Sequence, residues 1–109
     1  MERMGHVIGL KPGTIAEYKR LHADVWPAVL NQIANSNIRN YSIFLKEPEN
    51  LLFAYFEYHG SDFEGDMRRM AADPETRRWW DVCGPLQEPF TTRKNGEWWA
   101  KMEEVFYTA

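Results

Sequence analysis

The chain has 109 residues, of which 44% are hydrophobic, so we expect a single packed domain over residues 1–109. Its 13 basic and 16 acidic residues give a net charge of −3, without a basic run that could follow a phosphate backbone, which excludes a nucleic-acid partner. The one cysteine excludes an intramolecular disulfide and a cysteine zinc site, and three dispersed histidines lack metal-ligand spacing. No signal peptide and no apolar run of about 18 residues is present, so we expect a cytoplasmic protein without a membrane partner.

The first third of the chain predicts a strand followed by an interrupted helix. Residues 4–10 alternate large side chains with Gly or Val, which indicates a strand that another backbone segment approaches closely on one face. Thr14 and Glu17 are spaced as a capping box at the start of a helix. Because Pro27 has no amide hydrogen, we expect this helix to kink or restart just before it.

Three ring side chains with polar atoms follow one another in this helix at four-residue spacing: Tyr18, His22 and Trp26. Helix residues four apart lie on one face. Imidazole is the side chain that exchanges a proton near neutral pH without special tuning. We therefore expect this face to line a polar cavity, with His22 as proton donor and acceptor and Tyr18 as its hydrogen-bonding neighbour. The same pattern also fits a buried His and Tyr whose hydrogen bonds serve only the core.

The rest of the chain alternates strand and helix signals. The expected elements are strands at residues 38–45 and 51–58, helices at 62–72 and 74–83, a surface loop at 85–97 and a final strand at 98–108. Ser61 and Asp62 are suited to cap the first of these helices, and Pro74 to open the second. The charged segment between the two strands has the length of a hairpin turn.

The resulting order is β-α-β-β-α-β, which predicts an α+β ferredoxin-like sandwich. A right-handed arrangement of such units gives a four-stranded antiparallel sheet with both helices on one face. The other face then carries Phe44, Phe53 and Tyr55 or their strand neighbours, which present too many rings to leave in water. Two such sheets packed face to face would bury them, so we expect a homodimer with a dimeric α/β-barrel assembly.

Two further aromatic features are candidate binding residues. Trp79 and Trp80 are adjacent in a helix and point about 100° apart, so both cannot fill one core position. They suit the C–H face of a sugar, or one core and one dimer-interface position. Tyr41 shares a strand face by alternation with Arg39 and Ile43, and would project toward Tyr18 and His22 if that face meets the helices.

One carboxylate is a candidate second proton-transfer group. Alternation along the final strand places Glu104 on the helix side and Glu103 on the opposite side. A carboxylate on a core face needs a partner or a ligand. A structural hydrogen bond to a backbone amide explains Glu104 equally well.

Over nearly its whole length the chain resembles the L-rhamnose mutarotase family. The segments that carry the resemblance are Tyr18 with His-Ala-Asp-Val-Trp-Pro at 22–27, Asn-Tyr-Ser-Ile at 40–43, Asn-Leu-Leu-Phe-Ala at 50–54, Arg-Trp-Trp at 78–80 and Glu-Val-Phe-Tyr at 104–107. The chain departs from the family pattern by a small expansion around residues 58–66 and by a divergent loop at 85–97.

The resemblance implies small dimeric enzymes that interconvert the α and β anomers of L-rhamnose without a cofactor. It implies that His22 is the proton donor to the ring oxygen and that the substrate-binding residues are Tyr18, Tyr41, Trp79 and Trp80. The base opposite His22 is left open among a Tyr, Glu104 and water. Ring opening needs an acid and a base with pKa values near the working pH, which His provides without a metal.

Two other functions fit the same residues. A cofactor-free monooxygenase on the same dimeric fold would also use rings and a His, and oxygen consumption would reveal it. A non-catalytic sugar-binding module would respond to rhamnose in NMR spectra and leave the anomer exchange rate at its buffer value.

Overall fold

The computed structural model covers residues 1–109, and its centre is one antiparallel sheet. The strands are β1 (Glu2–Leu10), β2 (Ile38–Lys46), β3 (Leu51–Tyr58), β4 (Gln87–Glu88) and β5 (Ala100–Met102). Their order is β2-β3-β1-β4, and β5 pairs with β1 on the same edge as β4. This is the predicted α+β topology, with the expected last strand replaced by two short ones.

The helices follow the predicted boundaries closely. They are α1 (Ile15–His22), α2 (Pro27–Asn35), α3 (Phe63–Ala72) and α4 (Pro74–Cys83), and a 3₁₀ turn follows at Gly84–Leu86. The predicted restart at Pro27 is confirmed, because α1 ends at His22 and Pro27 opens α2. Asp62 caps α3 as expected by accepting a hydrogen bond from the amide of Gly65 at 3.1 Å. None of these helices is long and apolar enough to cross a membrane.

The capping box predicted at Thr14 is wrong. Thr14 does stand at the helix start, but its hydroxyl donates to the carbonyl oxygen of Lys11 at 2.7 Å and makes no bond to the helix amides. The hydroxyl donates to a carbonyl of the preceding turn instead of accepting from a first-turn amide, a local competition that short polar side chains commonly offer.

The helices cover one face of the sheet, and the core lies between them. The residues of β3 that face the helices are all buried: Leu52, Ala54, Phe56 and Tyr58. On the neighbouring strand, Ile8 and Leu10 join the same core. This burial of alternate residues is the pattern of an antiparallel sheet with one packed face.

The segment after α4 departs most from prediction. The expected loop at 85–97 is partly wrong, because Gln87–Glu88 pair with the end of β1 as strand β4. This pairing needs Gly9, since a Cβ atom there would lie 2.7 Å from the carbonyl oxygen of Glu88. The close backbone approach predicted for the first strand is thereby confirmed. The final strand is limited to Ala100–Met102, and the last seven residues leave the sheet.

Candidate active site

Tyr18 and His22 form a stacked pair in the last turns of α1. Their ring centroids lie 4.1 Å apart with an angle of 20° between the planes. The prediction that Trp26 shares this helix face is wrong, because α1 ends at His22 and Trp26 lies in the break before α2. The indole of Trp26 instead packs edge-on against Trp79 with centroids 5.1 Å apart.

The two nitrogen atoms of His22 have different environments. Nδ1 lies 2.9 Å from the carbonyl oxygen of Tyr18, and since a carbonyl only accepts, Nδ1 carries the hydrogen. Nε2 has no hydrogen-bond partner in the protein. Burial lowers the pKa of His22 below its ordinary value of 6.5, and the bond to the backbone carbonyl opposes this only in part. At neutral pH the ring is therefore neutral, with a free lone pair on Nε2.

The two tryptophans of α4 have different degrees of burial. Trp79 is buried and meets His22 edge-on, with ring centroids 5.2 Å apart. Trp80 is 44% exposed. Both side chains line the cavity described below, as their divergent directions in the helix allow.

A β-bulge in β2 turns Tyr41 toward the helices. Arg39 pairs with Glu57 and Ser42 with Tyr55, so two residues of β2 oppose the single residue Phe56 of β3. Asn40 is the extra residue and has a positive φ of 51°. Arg39 therefore points to the opposite face from Tyr41, which corrects the predicted alternation.

These side chains surround one cavity of about 480 Å³ between the sheet and the helices. All five predicted site residues line it: Tyr18, His22, Tyr41, Trp79 and Trp80. The remaining lining is mostly hydrophobic and comes from α2, α3, α4, β2, β3 and the segment after α4. No Asp, Glu, Lys or Arg side chain lines this cavity, so it suits an uncharged ligand with apolar faces.

Sequence reasoning missed two residues of this site, Gln87 and Trp98. The indole nitrogen of Trp98 donates to Oε1 of Gln87 at 2.8 Å, and Nε2 of Gln87 donates to the hydroxyl of Tyr18 at 3.1 Å. Burial raises the pKa of Tyr18 far above its ordinary value of 10, so the phenol keeps its proton. The adjacent Trp98 and Trp99 could have indicated a further part of the cavity lining. They were instead assigned only to the expected final strand.

The predicted placement of Glu104 on the helix side is wrong. Its carboxylate accepts hydrogen bonds from Arg3 at 2.7 and 3.1 Å, and Arg3 is adjacent in β1 to the buried Met4, so it points away from the helices. The ring of Tyr107 covers the same guanidinium, 3.5 Å from its carbon. The alternation failed because the strand ends at Met102, and Glu104 is not available as a base in the cavity.

The cavity also contains a cysteine thiol. Cys83 is buried and unpaired, and burial raises its pKa to about 11. A thiol that stays protonated at neutral pH is a poor nucleophile. His22 is therefore the group in this cavity that is suited to exchange a proton near neutral pH.

Known proteins of one family resemble this chain over nearly its whole length. The family model for L-rhamnose mutarotase matches residues 3–108. The L-rhamnose mutarotase of Listeria monocytogenes is 31% identical over 109 residues and covers all of both chains, and that of Bacillus subtilis is 32% identical over 107 residues, or 98% of each.

Solved structures give the same result. The crystal structure of L-rhamnose mutarotase from Formosa agariphila superposes with a TM-score of 0.80 at 27% identity, over all of both chains. Tetracenomycin F2 cyclase from Streptomyces glaucescens shares the fold alone, with a TM-score of 0.68 at 17% identity over 100% of this chain and 97% of that one. From its sequence match over nearly its whole length, the chain belongs to the L-rhamnose mutarotase family of anomer-interconverting isomerases.

Proposed function

We propose that this protein interconverts the α and β anomers of L-rhamnose and that His22 carries the proton. The observation that carries the proposal is the free Nε2 of a neutral His22, whose ring stacks on that of Tyr18 in a cavity without charged side chains. A pyranose hemiacetal is neutral and must gain a proton on its ring oxygen while its anomeric hydroxyl loses one. A group that both accepts and releases a proton near neutral pH meets both needs.

The proposed reaction conserves one proton that moves between two oxygens of the same carbon. Nε2 of His22 takes the proton of the anomeric hydroxyl as the C1–O5 bond breaks and the C1–O1 double bond forms. The imidazolium then delivers that proton to O5, which leaves an open-chain aldehyde and a neutral His22. Rotation about C1–C2 and the reverse steps close the ring on the other face. His22 thus remains the donor to the ring oxygen, after acting first as the acceptor.

The other predicted residues are proposed to bind the sugar. Trp79 and Trp80 offer apolar ring surface to its C–H face, and Tyr41 reaches the same cavity from β2. Tyr18 remains protonated because of its raised pKa, so it serves as a hydrogen-bond donor and not as the base. A 6-deoxy sugar suits this lining, because its methyl group needs no polar partner.

The test is anomer exchange measured by saturation-transfer NMR on L-rhamnose, with L-mannose as the matched sugar that differs by a hydroxyl at C6. We expect the protein to accelerate exchange of L-rhamnose and to act more slowly on L-mannose, whose extra hydroxyl must lose water in an apolar pocket. A rhamnose exchange rate equal to that of buffer contradicts the proposal. If rhamnose still shifts protein signals, the binding-module alternative replaces it, and oxygen uptake would favour the monooxygenase.

We also propose that the protein is a homodimer formed through the open face of the sheet. Phe44 is 65% exposed there and pairs with Phe53, which in turn pairs with Val7 on β1. Beyond the sheet, Val105 and Phe106 are 86% and 78% exposed. A second copy of the same apolar face is the occupant that would remove all of these side chains from water.

Sedimentation velocity tests the dimer with one charged substitution on each side of the molecule. Phe44→Glu is expected to shift the protein to monomer, because it places a charge in the apolar interface. Leu30→Glu is the control, since Leu30 is 52% exposed on α2, away from the open face. Equal sedimentation of both variants and the unsubstituted protein at the monomer mass would refute the dimer.

A cytoplasmic location completes the proposal. Its support is the single cysteine, Cys83, whose buried thiol is free, as is usual in a reducing compartment. Cell fractionation with an antibody to the protein tests this location, and recovery in the secreted fraction would contradict it.

A further inference from the structure

Gln87 connects an indole at the mouth of the cavity to the phenol inside it. Its Oε1 accepts from Nε1 of Trp98 at 2.8 Å, and its Nε2 donates to the hydroxyl oxygen of Tyr18 at 3.1 Å. Gln87 is buried, whereas Trp98 is partly exposed. Strand β4 fixes the backbone of Gln87, because it pairs with Leu10 of β1.

The chemistry of these groups sets the direction of each hydrogen bond. An indole nitrogen only donates, so the amide of Gln87 must turn its oxygen to Trp98 and its NH₂ to Tyr18. The oxygen of Tyr18 is then an acceptor toward Gln87. Its own hydrogen has no acceptor in the protein and is free for a ligand in the cavity. If the amide were reversed, the NH₂ group of Gln87 would point at the indole N–H of Trp98, and two donors would face each other.

We propose that Gln87, oriented by Trp98, is a positioning residue that holds the hydroxyl of Tyr18 as a hydrogen-bond donor directed into the cavity, beside the acceptor Nε2 of His22. The inference rests on the proposed anomer interconversion. A hemiacetal presents a donor at its anomeric hydroxyl and an acceptor at its ring oxygen. The fixed acceptor of His22 and the fixed donor of Tyr18 match this pair. As the C1–O5 bond breaks, the donor stabilises the charge that develops on O5.

The amide of Gln87 is thus required for its N–H, which a carboxylate of the same shape lacks. In the Gln87→Glu variant, the side chain still accepts from Trp98, but it also accepts from Tyr18 and draws the phenol hydrogen away from the cavity. We expect kcat for L-rhamnose exchange to fall by about 10-fold or more, with a smaller change in KM. Glu88→Gln is the control, because it makes the opposite exchange at the adjacent, exposed position of the same strand.

A double-mutant cycle separates positioning from a general structural effect. Tyr18→Phe keeps the stacked ring and removes the hydroxyl through which Gln87 acts. In that background, Gln87→Glu is expected to change kcat by less than about twofold. A loss of the same factor in both backgrounds would overturn the inference, because it would show that Gln87 acts independently of the Tyr18 hydroxyl.

Trp98→Phe keeps the inference testable if Gln87→Glu fails to fold. Without the indole N–H, the amide can turn and offer its oxygen to Tyr18, so we expect kcat to fall by about 2- to 10-fold, again only when Tyr18 is present. An unchanged kcat in Gln87→Glu, or in Trp98→Phe if the first does not fold, would refute the inference. The proposed function fails separately, if the unsubstituted protein does not accelerate exchange.

Discussion

Two polar clusters lie under the helices of this protein, and they differ in whether their hydrogen bonds are completed within the protein. The site cluster consists of Tyr18, His22 and Gln87. The structural cluster is centred on Asp66 and joins α3 to the end of β3 and to the turn before β2. Both bury polar atoms, which normally costs free energy unless those atoms are paired.

The structural cluster uses its hydrogen-bonding capacity internally. Asp66 accepts from the hydroxyl of Tyr58 at 2.5 Å, from the amide of Asn37 at 3.0 Å and from the guanidinium of Arg69. The oxygen of Tyr58 in turn accepts from the amide of Asp62 at 3.0 Å. These bonds, with that of Tyr58 first, lower the pKa of Asp66 to about 2. Both carboxylate oxygens of Asp66 therefore have donors within the protein.

The site cluster leaves one acceptor and one donor without protein partners. They are Nε2 of His22 and the hydroxyl hydrogen of Tyr18, and both residues line the large cavity. The comparison indicates that an unusual pKa alone does not identify chemistry in this protein. Free hydrogen-bonding capacity at a cavity distinguishes the two clusters.

Replacing His22 gives the largest expected effect. His22→Ala removes the proton carrier, so the anomer exchange rate should fall at least about 10-fold, and positioned proton transfer commonly contributes 10²–10⁴-fold. Saturation-transfer NMR measures the rate, and a thermal melt confirms that the variant is folded. A folded variant that exchanges rhamnose at the unsubstituted rate would remove His22 from the mechanism.

Acid is expected to reduce activity through His22 and not through Asp66. Because burial lowers the pKa of His22 below its ordinary value of 6.5, the neutral ring predominates at pH 7, and kcat/KM should level off as the pH rises further. Below the lowered pKa, protonation blocks Nε2, and kcat/KM should fall by about 10-fold per pH unit. The same shift makes the contribution of His22 to stability present above pH 6.5 and lost as the pH falls below that value.

A pH series of exchange rates, corrected for the buffer rate, checks this expectation. Asp66 stays ionised over this range because its pKa is about 2, so the structural cluster adds no inflection. A kcat/KM value that rises on acidification from pH 6.5 would show that the protonated form of His22 begins the reaction.

Replacing Asp66 is expected to have the smallest effect on the exchange rate and a clear effect on stability. Asp66→Asn replaces a charged acceptor of three hydrogen bonds, so the melting temperature should fall by on the order of 5–10 °C. At 25 °C the exchange rate should stay within about twofold. Glu64→Gln is the control, because Glu64 is exposed on the same helix. A large loss of kcat at an unchanged melting temperature would place Asp66 in the site instead.

Local signals in the sequence were enough to predict most helices and strands. Pro27 and Pro74 open the helices that were expected to start there, and Asp62 caps α3. The content of strand-favouring residues predicted β3 over its whole length. The five predicted site residues do line one cavity, although the family resemblance contributed more to that choice than their spacing.

The wrong predictions concern residues whose position depends on contacts with segments distant in the chain. In β2, the extra residue Asn40 resets the alternation, so Arg39 and Tyr41 face opposite sides. After α4, residues rich in Pro, Gly and polar groups predicted a loop, yet Gln87 pairs with Leu10 and becomes buried. Nothing local to Glu104 showed that its partner would be Arg3, about 100 residues away in the chain.

The amino-acid sequence by itself determined the order of elements, the apolar faces and the residue types available for proton transfer. These depend on side-chain periodicity, on caps and on prolines, which act within a few residues. Only the tertiary structure decided which nitrogen of His22 is free, which way the hydroxyl of Tyr18 donates and which carboxylate stays outside the cavity. The direction of the Tyr18 hydroxyl and the place of Glu104 depend on hydrogen bonds between distant segments, which form when the strands pair and the helices close over the sheet. The free nitrogen of His22 depends on how its ring turns toward the carbonyl of Tyr18 within α1.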